Sequence, residues 1–119
     1  MLERDITAMH GLIAKLLPPT FRWMRFFDSD SKRRHSFGCD GQLMRIKTQL
    51  TYLTDVKMGN EPLTKKERAK RDEMEGVGIK YLVLRWFGSD DNPDMWRLEN
   101  GMNGKMGTLV ECLKHLEAL

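Results

Sequence analysis

Two pairs of residues have the composition of half a zinc site each: His35-x3-Cys39 and Cys112-x2-His115. Zinc takes thiolate and imidazole ligands in closed sets of four, so joining the pairs would make a small zinc-stabilised module. The pairs lie far apart in the chain, and Cys112 also falls on the apolar side of a helical pattern. A small buried thiol at Cys112 and an exposed His35 explain these residues without a metal. We therefore expect no metal and no cofactor, and keep His35, Cys39, Cys112 and His115 as the metal candidates.

Asp90, Asp91 and Asp94 form a carboxylate cluster in a stretch Gly88-Ser-Asp-Asp-Asn-Pro-Asp94. They have the chemistry for Mg²⁺ or for acid–base work, but in such company they read as turn formers on a solvated edge. Neither cysteine sits beside a base that would activate it. No glycine-rich loop has the phosphate-cradling spacing. The expectation is that the protein is not an enzyme and has no catalytic residues.

Binding has more support. Thr20 to Phe27 is the most aromatic segment, and Arg22, Trp23, Arg25 and Phe26 are followed by Lys32, Arg33, Arg34 and His35, then Arg45 and Lys47. Cations interleaved with rings suit a phosphate track with stacking platforms. Lys65, Lys66, Arg68, Lys70 and Arg71 extend the positive potential if they fold nearby. Residues 1–71 carry 15 Lys and Arg against 8 Asp and Glu, a net of +7; residues 72–119 carry 5 against 9, a net of −4. Such asymmetry steers an acidic partner to one end of a molecule. We take Arg22, Trp23, Arg25, Lys32, Arg33, Arg34, Arg45 and Lys47 as the binding set. The surroundings of Trp23 and Trp96 are natural interface anchors. The favoured function is a non-enzymatic protein–protein adaptor or inhibitor, with another protein as partner. The alternative is a protein that binds RNA or single-stranded nucleic acid with the same surface.

The elements that must carry these residues follow from periodicity. The 119 residues are 40% hydrophobic and 31% charged, which suits one globular domain spanning the chain. Nothing approaches the roughly 20 apolar residues needed to cross a bilayer, so no membrane partner is expected. The first residues lack a signal-peptide pattern, and two cysteines with no export signal point to reduced thiols in the cytoplasm or nucleus. Leu2, Ile6, Met9, Ile13 and Leu16 predict a helix over 2–17, ended by Pro18-Pro19. Asp28 to Gly38 reads as an exposed loop, functional or mobile. Leu43, Ile46, Leu50 and Leu53 predict a helix over 40–58, with Asp40 as its N-cap. Thr64-x-x-Glu67 and Thr108-x-x-Glu111 have capping-box spacing and open two further helices.

Ile79 to Phe87 is the densest apolar run and reads either as a helix or as a strand buried on both faces. Valine and isoleucine are few, so unbranched leucine and methionine favour helices. The fold expected is a mostly α bundle of four to five helices; the alternative is a small α+β fold with a hairpin at 79–87/95–98, joined by 21–27. Trp86 or Trp96, followed by Gly104, Thr108, Leu109, Leu113 and Leu116, resembles the last helices of death-fold adaptor domains. That family consists of self-associating helical bundles.

Overall fold

The computed structural model describes residues 3–26, 39–100 and 103–117. Among them, six strands form one mixed sheet in sequence order, with three helices packed on it. The order is α1 (Glu3–Leu16), β1 (Phe21–Arg25), β2 (Gly41–Arg45), β3 (Leu50–Met58), α2 (Lys65–Gly76), β4 (Tyr81–Trp86), β5 (Trp96–Asn100), β6 (Asn103–Gly107) and α3 (Leu109–Glu117). Neighbouring strands run antiparallel except β3 and β4, which are parallel and joined by the α2 crossover.

The helical bundle is therefore overturned: the protein is α+β, not all-α. The largest correction is 40–58, which folds as the β2–β3 hairpin. Its leucine stripe fits a helix on paper, yet Thr51, Tyr52, Thr54 and Val56 favour a pleated surface. In the strand, Tyr52, Thr54 and Val56 alternate onto one buried face, while Ile46 of the supposed stripe is 44% exposed. The hairpin turns through Ile46–Gln49, where Gln49 takes a left-handed φ of 59°. Ile79–Phe87 is the strand of the two readings. Leu82 and Leu84 point to one face of β4 while Tyr81 and Val83 point to the other, and all four are buried. The 79–87/95–98 hairpin is present as β4–β5, within a far larger sheet. Strands at Trp86 and Trp96 also remove the likeness to a terminal helical bundle.

Alternation along the strands splits the interior in two. On one face α1 and α3 cover Phe21, Leu43, Tyr52, Val56, Leu82, Leu84, Trp96 and Leu98, with Met9, Ile13, Leu109, Cys112, Leu113 and Leu116 facing them. On the other face α2 covers a smaller cluster of Leu63, Met74, Tyr81 and Val83, with Leu53 against it. Both capping boxes form as spaced: the Glu67 amide donates to Thr64 Oγ1 (3.1 Å) and the Thr64 amide to Glu67 Oε1 (2.8 Å), with the same exchange at Thr108 and Glu111. Among the described residues no helix is long and apolar enough to cross a membrane.

Candidate active site

The β2–β3 ladder stops at Gly41↔Thr54. Beyond it β3 continues beside β4 alone, so the amide of Val56 has lost its strand partner. A buried amide needs an acceptor, and the carboxylate of Asp40 supplies it: the Val56 N–H donates to Asp40 Oδ2 at 2.8 Å. In return the Asp40 N–H donates to Asp55 Oδ1 at 3.2 Å. Asp40, just before β2, and Asp55 of β3 are thus stitched together at the point where the strands part.

Asp55 and Lys57 are two apart on a strand and share its α2 face. Asp55 Oδ2 accepts from the Tyr81 hydroxyl on β4 at 2.5 Å. Lys57 Nζ donates to Glu67 Oε1 at 2.7 Å and lies 3.7 Å from Glu61 Oε1. Glu67 Oε1 is also the acceptor that caps α2, so the start of the helix and the lysine are held by one oxygen.

The electrostatics match this crowding. Burial pushes Asp55 up to about 6, with the charges of Asp40 and Glu67 adding to the rise and the Tyr81 hydrogen bond opposing it. Asp40 is raised as well, first by burial and then by Glu67, against the Val56 amide. Burial alone would lower Lys57, but its hydrogen bond and attraction to Glu67, with Glu61 and Asp40 beyond, hold its ammonium above the ordinary value. Burial would raise Glu67, and Lys57 with the Thr64 amide brings it below the usual range. Cys39, next to Asp40, is pushed up to about 12 by burial and by the Asp55 charge. It is therefore a thiol, not a nucleophile.

The residues expected to act from sequence are distributed differently. Arg22 lies on the α2 side of β1, whereas Trp23 and Arg25 lie on the α1 side. There the Trp23 ring stacks on His10, 5.4 Å between centroids, and its Nε1–H donates to His10 Nδ1 at 3.2 Å. Arg45 lines a cavity with Leu50, Tyr52 and Leu116, and Lys47 is exposed in the β2–β3 turn. Lys32, Arg33, Arg34, His35 and the loop expected over 28–38 lie outside the described residues. Cys39 sits beside β2 and β3, while Cys112 is buried in α3 with its Sγ donating to Lys105 O on β6, so those two zinc candidates are not brought together. His115 lies on the partly exposed side of α3. Trp96 is fully buried, its Nε1–H held by Asp94 Oδ1, and that oxygen also accepts from the Leu109 amide at the start of α3. Asp94 is therefore a structural acceptor; Asp90 and Asp91 are exposed in the loop before it.

The helix that the leucine spacing predicts over 40–58 does not bring Asp40, Asp55, Lys57 and Glu67 together. At 100° per residue a helix sets Asp55 and Lys57 about 200° apart, on opposite sides; a strand sets them side by side. The usable signal was Asp55-Val56-Lys57 following the alternation of Tyr52, Thr54 and Val56.

Among the described residues no three His, Cys, Asp or Glu side chains gather as a metal-binding group. Two carboxylates do converge, and Mg²⁺ is commonly held by one or two carboxylates with waters and substrate phosphates completing its shell. Compared with protein-family models, with curated proteins and with solved structures, the chain matches none.

Proposed function

We propose that the protein is a divalent-metal-dependent nuclease, hydrolysing phosphodiesters at Asp40, Asp55 and Lys57. The observation that carries this reading is the convergence, where β2 and β3 part, of the desolvated carboxylates of Asp40 and Asp55 with Lys57 two residues beyond Asp55. The donor set fits a hard cation. Asp40 Oδ2 is taken by the Val56 amide, and no described group donates to its Oδ1. The two carboxylates repel each other, and a divalent ion would relieve the repulsion. Asp40 and Asp55 would hold the ion; bound there, it supplies a more acidic water and offsets negative charge on the phosphate.

The protein's own groups account for the rest. Lys57, kept protonated by Glu67, places positive charge where the phosphoryl oxygens gain negative charge as water adds. Because it stays an ammonium, it acts by electrostatics and orientation, not as the base. In the balanced reaction, the water oxygen bonds to phosphorus and releases its proton to solvent. The bond from phosphorus to the leaving sugar oxygen breaks, and that oxygen takes a proton. The products are a phosphate monoester and a free hydroxyl. The formal net charge of +3 suits a polyanionic substrate.

The test is incubation with end-labelled single- and double-stranded DNA and RNA in Mg²⁺, in Mn²⁺ and in EDTA. Cleavage is expected with metal only. Asp40→Asn and Lys57→Ala should each lower it by about 10²–10³-fold while leaving the thermal midpoint within a few degrees. No cleavage of any substrate with either ion, or cleavage undiminished by both substitutions, refutes the assignment. A second reading, non-enzymatic binding of a protein or nucleic acid through 21–47, draws on the exposed Arg22 and the 48% exposed Met24. Nuclease-insensitive capture of one protein, with no cleavage, would favour that reading instead.

A further inference from the structure

The charge order along α2 opposes the helix's own field. Lys65, Lys66, Arg68, Lys70 and Arg71 fall in its first seven residues with one acid, Glu67, whereas Asp72, Glu73 and Glu75 follow and the last turn has no base. A helix dipole favours the reverse order by a few tenths of a kcal/mol per charge. The arrangement therefore gives up local stability to hold positive charge at the end nearest Lys57, where an anion would be welcomed twice.

The helix also has two flanks. Glu67, Arg71 and Met74 turn toward the sheet, being its less exposed positions. Arg68 lines a cavity of about 230 Å³ with Arg85 and Glu99, on the side of β4 and β5. Lys66 and Lys70 are each about 200° from Arg68 around the helix, so they project from the opposite flank, on the side of the sheet where β2 and β1 follow β3. There the sheet face shows Arg22, Met24, Gln42 and Met44, none of which belongs to the apolar cluster under α2. Among the described residues no helix covers this strip, and Asp40 lies at its end with the buried Asp55 against it. Among the described residues Lys66 has no ion pair, and Lys70 meets Glu73 at 3.5 Å with both side chains largely exposed, a contact worth little.

We propose that Lys66 and Lys70 of α2 and Arg22 of β1 form the two walls of a track that grips the phosphate backbone of the strand cut at Asp40, Asp55 and Lys57. This rests on the nuclease reading and extends it by saying where the substrate lies. Phosphates contacted by these cations hold the strand over the β1–β2 face, and the scissile phosphate meets the carboxylates at the splay.

The experiment uses the full chain and a fluorescein-labelled DNA strand, with binding read by anisotropy in EDTA and cleavage read in Mg²⁺. Lys66→Gln with Lys70→Gln should weaken binding roughly tenfold, and Arg22→Gln roughly threefold to fivefold. Each removed contact should lower the log–log salt slope by about one. In cleavage KM should rise by similar factors while kcat stays within about twofold, because these groups touch phosphates away from the reacting one. Lys105→Gln with Lys114→Gln, on β6 and α3, is the control and should change neither. Equal weakening by control and track variants would mean diffuse attraction and overturn the track. Unchanged binding by the track variants in a protein that still cleaves would overturn the track and leave the nuclease assignment standing. A wild-type chain that neither binds nor cleaves would remove both.

Discussion

The two faces of the sheet are built on opposite principles. Beneath α1 and α3 the strands present leucine, valine and aromatic side chains, with fourteen of the described residues buried in one cluster. Beneath α2 the same strands present Asp55, Lys57, Arg85, Arg97 and Glu99 around a cluster of four. Most of these charges are paired: Arg85 Nε donates to Glu99 Oε1 at 2.9 Å, and Arg97 lies 2.6 Å from Glu99 Oε2. Arg85 also donates to the carbonyls of Gly59 and Glu61, fixing the start of the crossover. One face holds the molecule together by burial. The other gives up burial to keep charged groups at fixed positions, an arrangement that suits the proposed phosphodiester substrate.

Substitutions on the two faces should separate stability from activity. The largest effect is expected at Asp55. Asp55→Asn should reduce cleavage by about 10³-fold, some 4 kcal/mol of transition-state stabilisation, while the urea midpoint stays level or rises because a repelled, desolvated charge is gone. A matching collapse of stability would mean that Asp55 is structural. Next comes the contrast on β4. Leu84→Ala should cost about 3–4 kcal/mol and Val83→Ala about 1–2 kcal/mol in chemical unfolding, since Leu84 belongs to the large cluster and Val83 to the small one. Equal costs would erase the asymmetry.

A smaller effect concerns pH. Burial, helped by the Arg25 charge, lowers His10 from 6.5 to about 4. A histidine kept neutral by folding contributes fully above pH 6.5, and its contribution is lost as pH falls toward 4. The groups facing it are Trp23, stacked on its ring, and Arg25. Between pH 7 and 4.5 the wild type should lose about 1–2 kcal/mol more than His10→Gln, once screening by solvent is allowed for. A parallel pH dependence in the two proteins would contradict this. The smallest effect is Glu67→Gln, which keeps the cap of α2 but removes the charge beside Lys57. A loss of about 0.5–1 kcal/mol is expected by thermal melting.

The helices were legible because their signals are local. Pro18-Pro19 ends α1, and Thr64 with Glu67 and Thr108 with Glu111 open α2 and α3 at their capping boxes. The strands were not, because a leucine at Leu43 or Leu53 serves either element, and pairing with distant strands decides the matter. A helix over 40–58 hides the cluster, because it makes Asp40 a cap and sends Asp55 and Lys57 to opposite sides. Trp96 reads as an interface anchor in the sequence, yet its ring fills the large core, with Asp94 accepting its N–H.

The crossover that joins the only parallel pair of strands in the described sheet has a consequence for heat inactivation. Its helix is fastened by little more than Leu63 and Met74, plus the shared oxygen of Glu67. Warming should lift it before the thick layer on the far side gives way. Lys57 would then lose its tether and the cut would stop, while most of the chain's circular dichroism stayed in place. On the proposed function, cleavage would be lost before the large core melts.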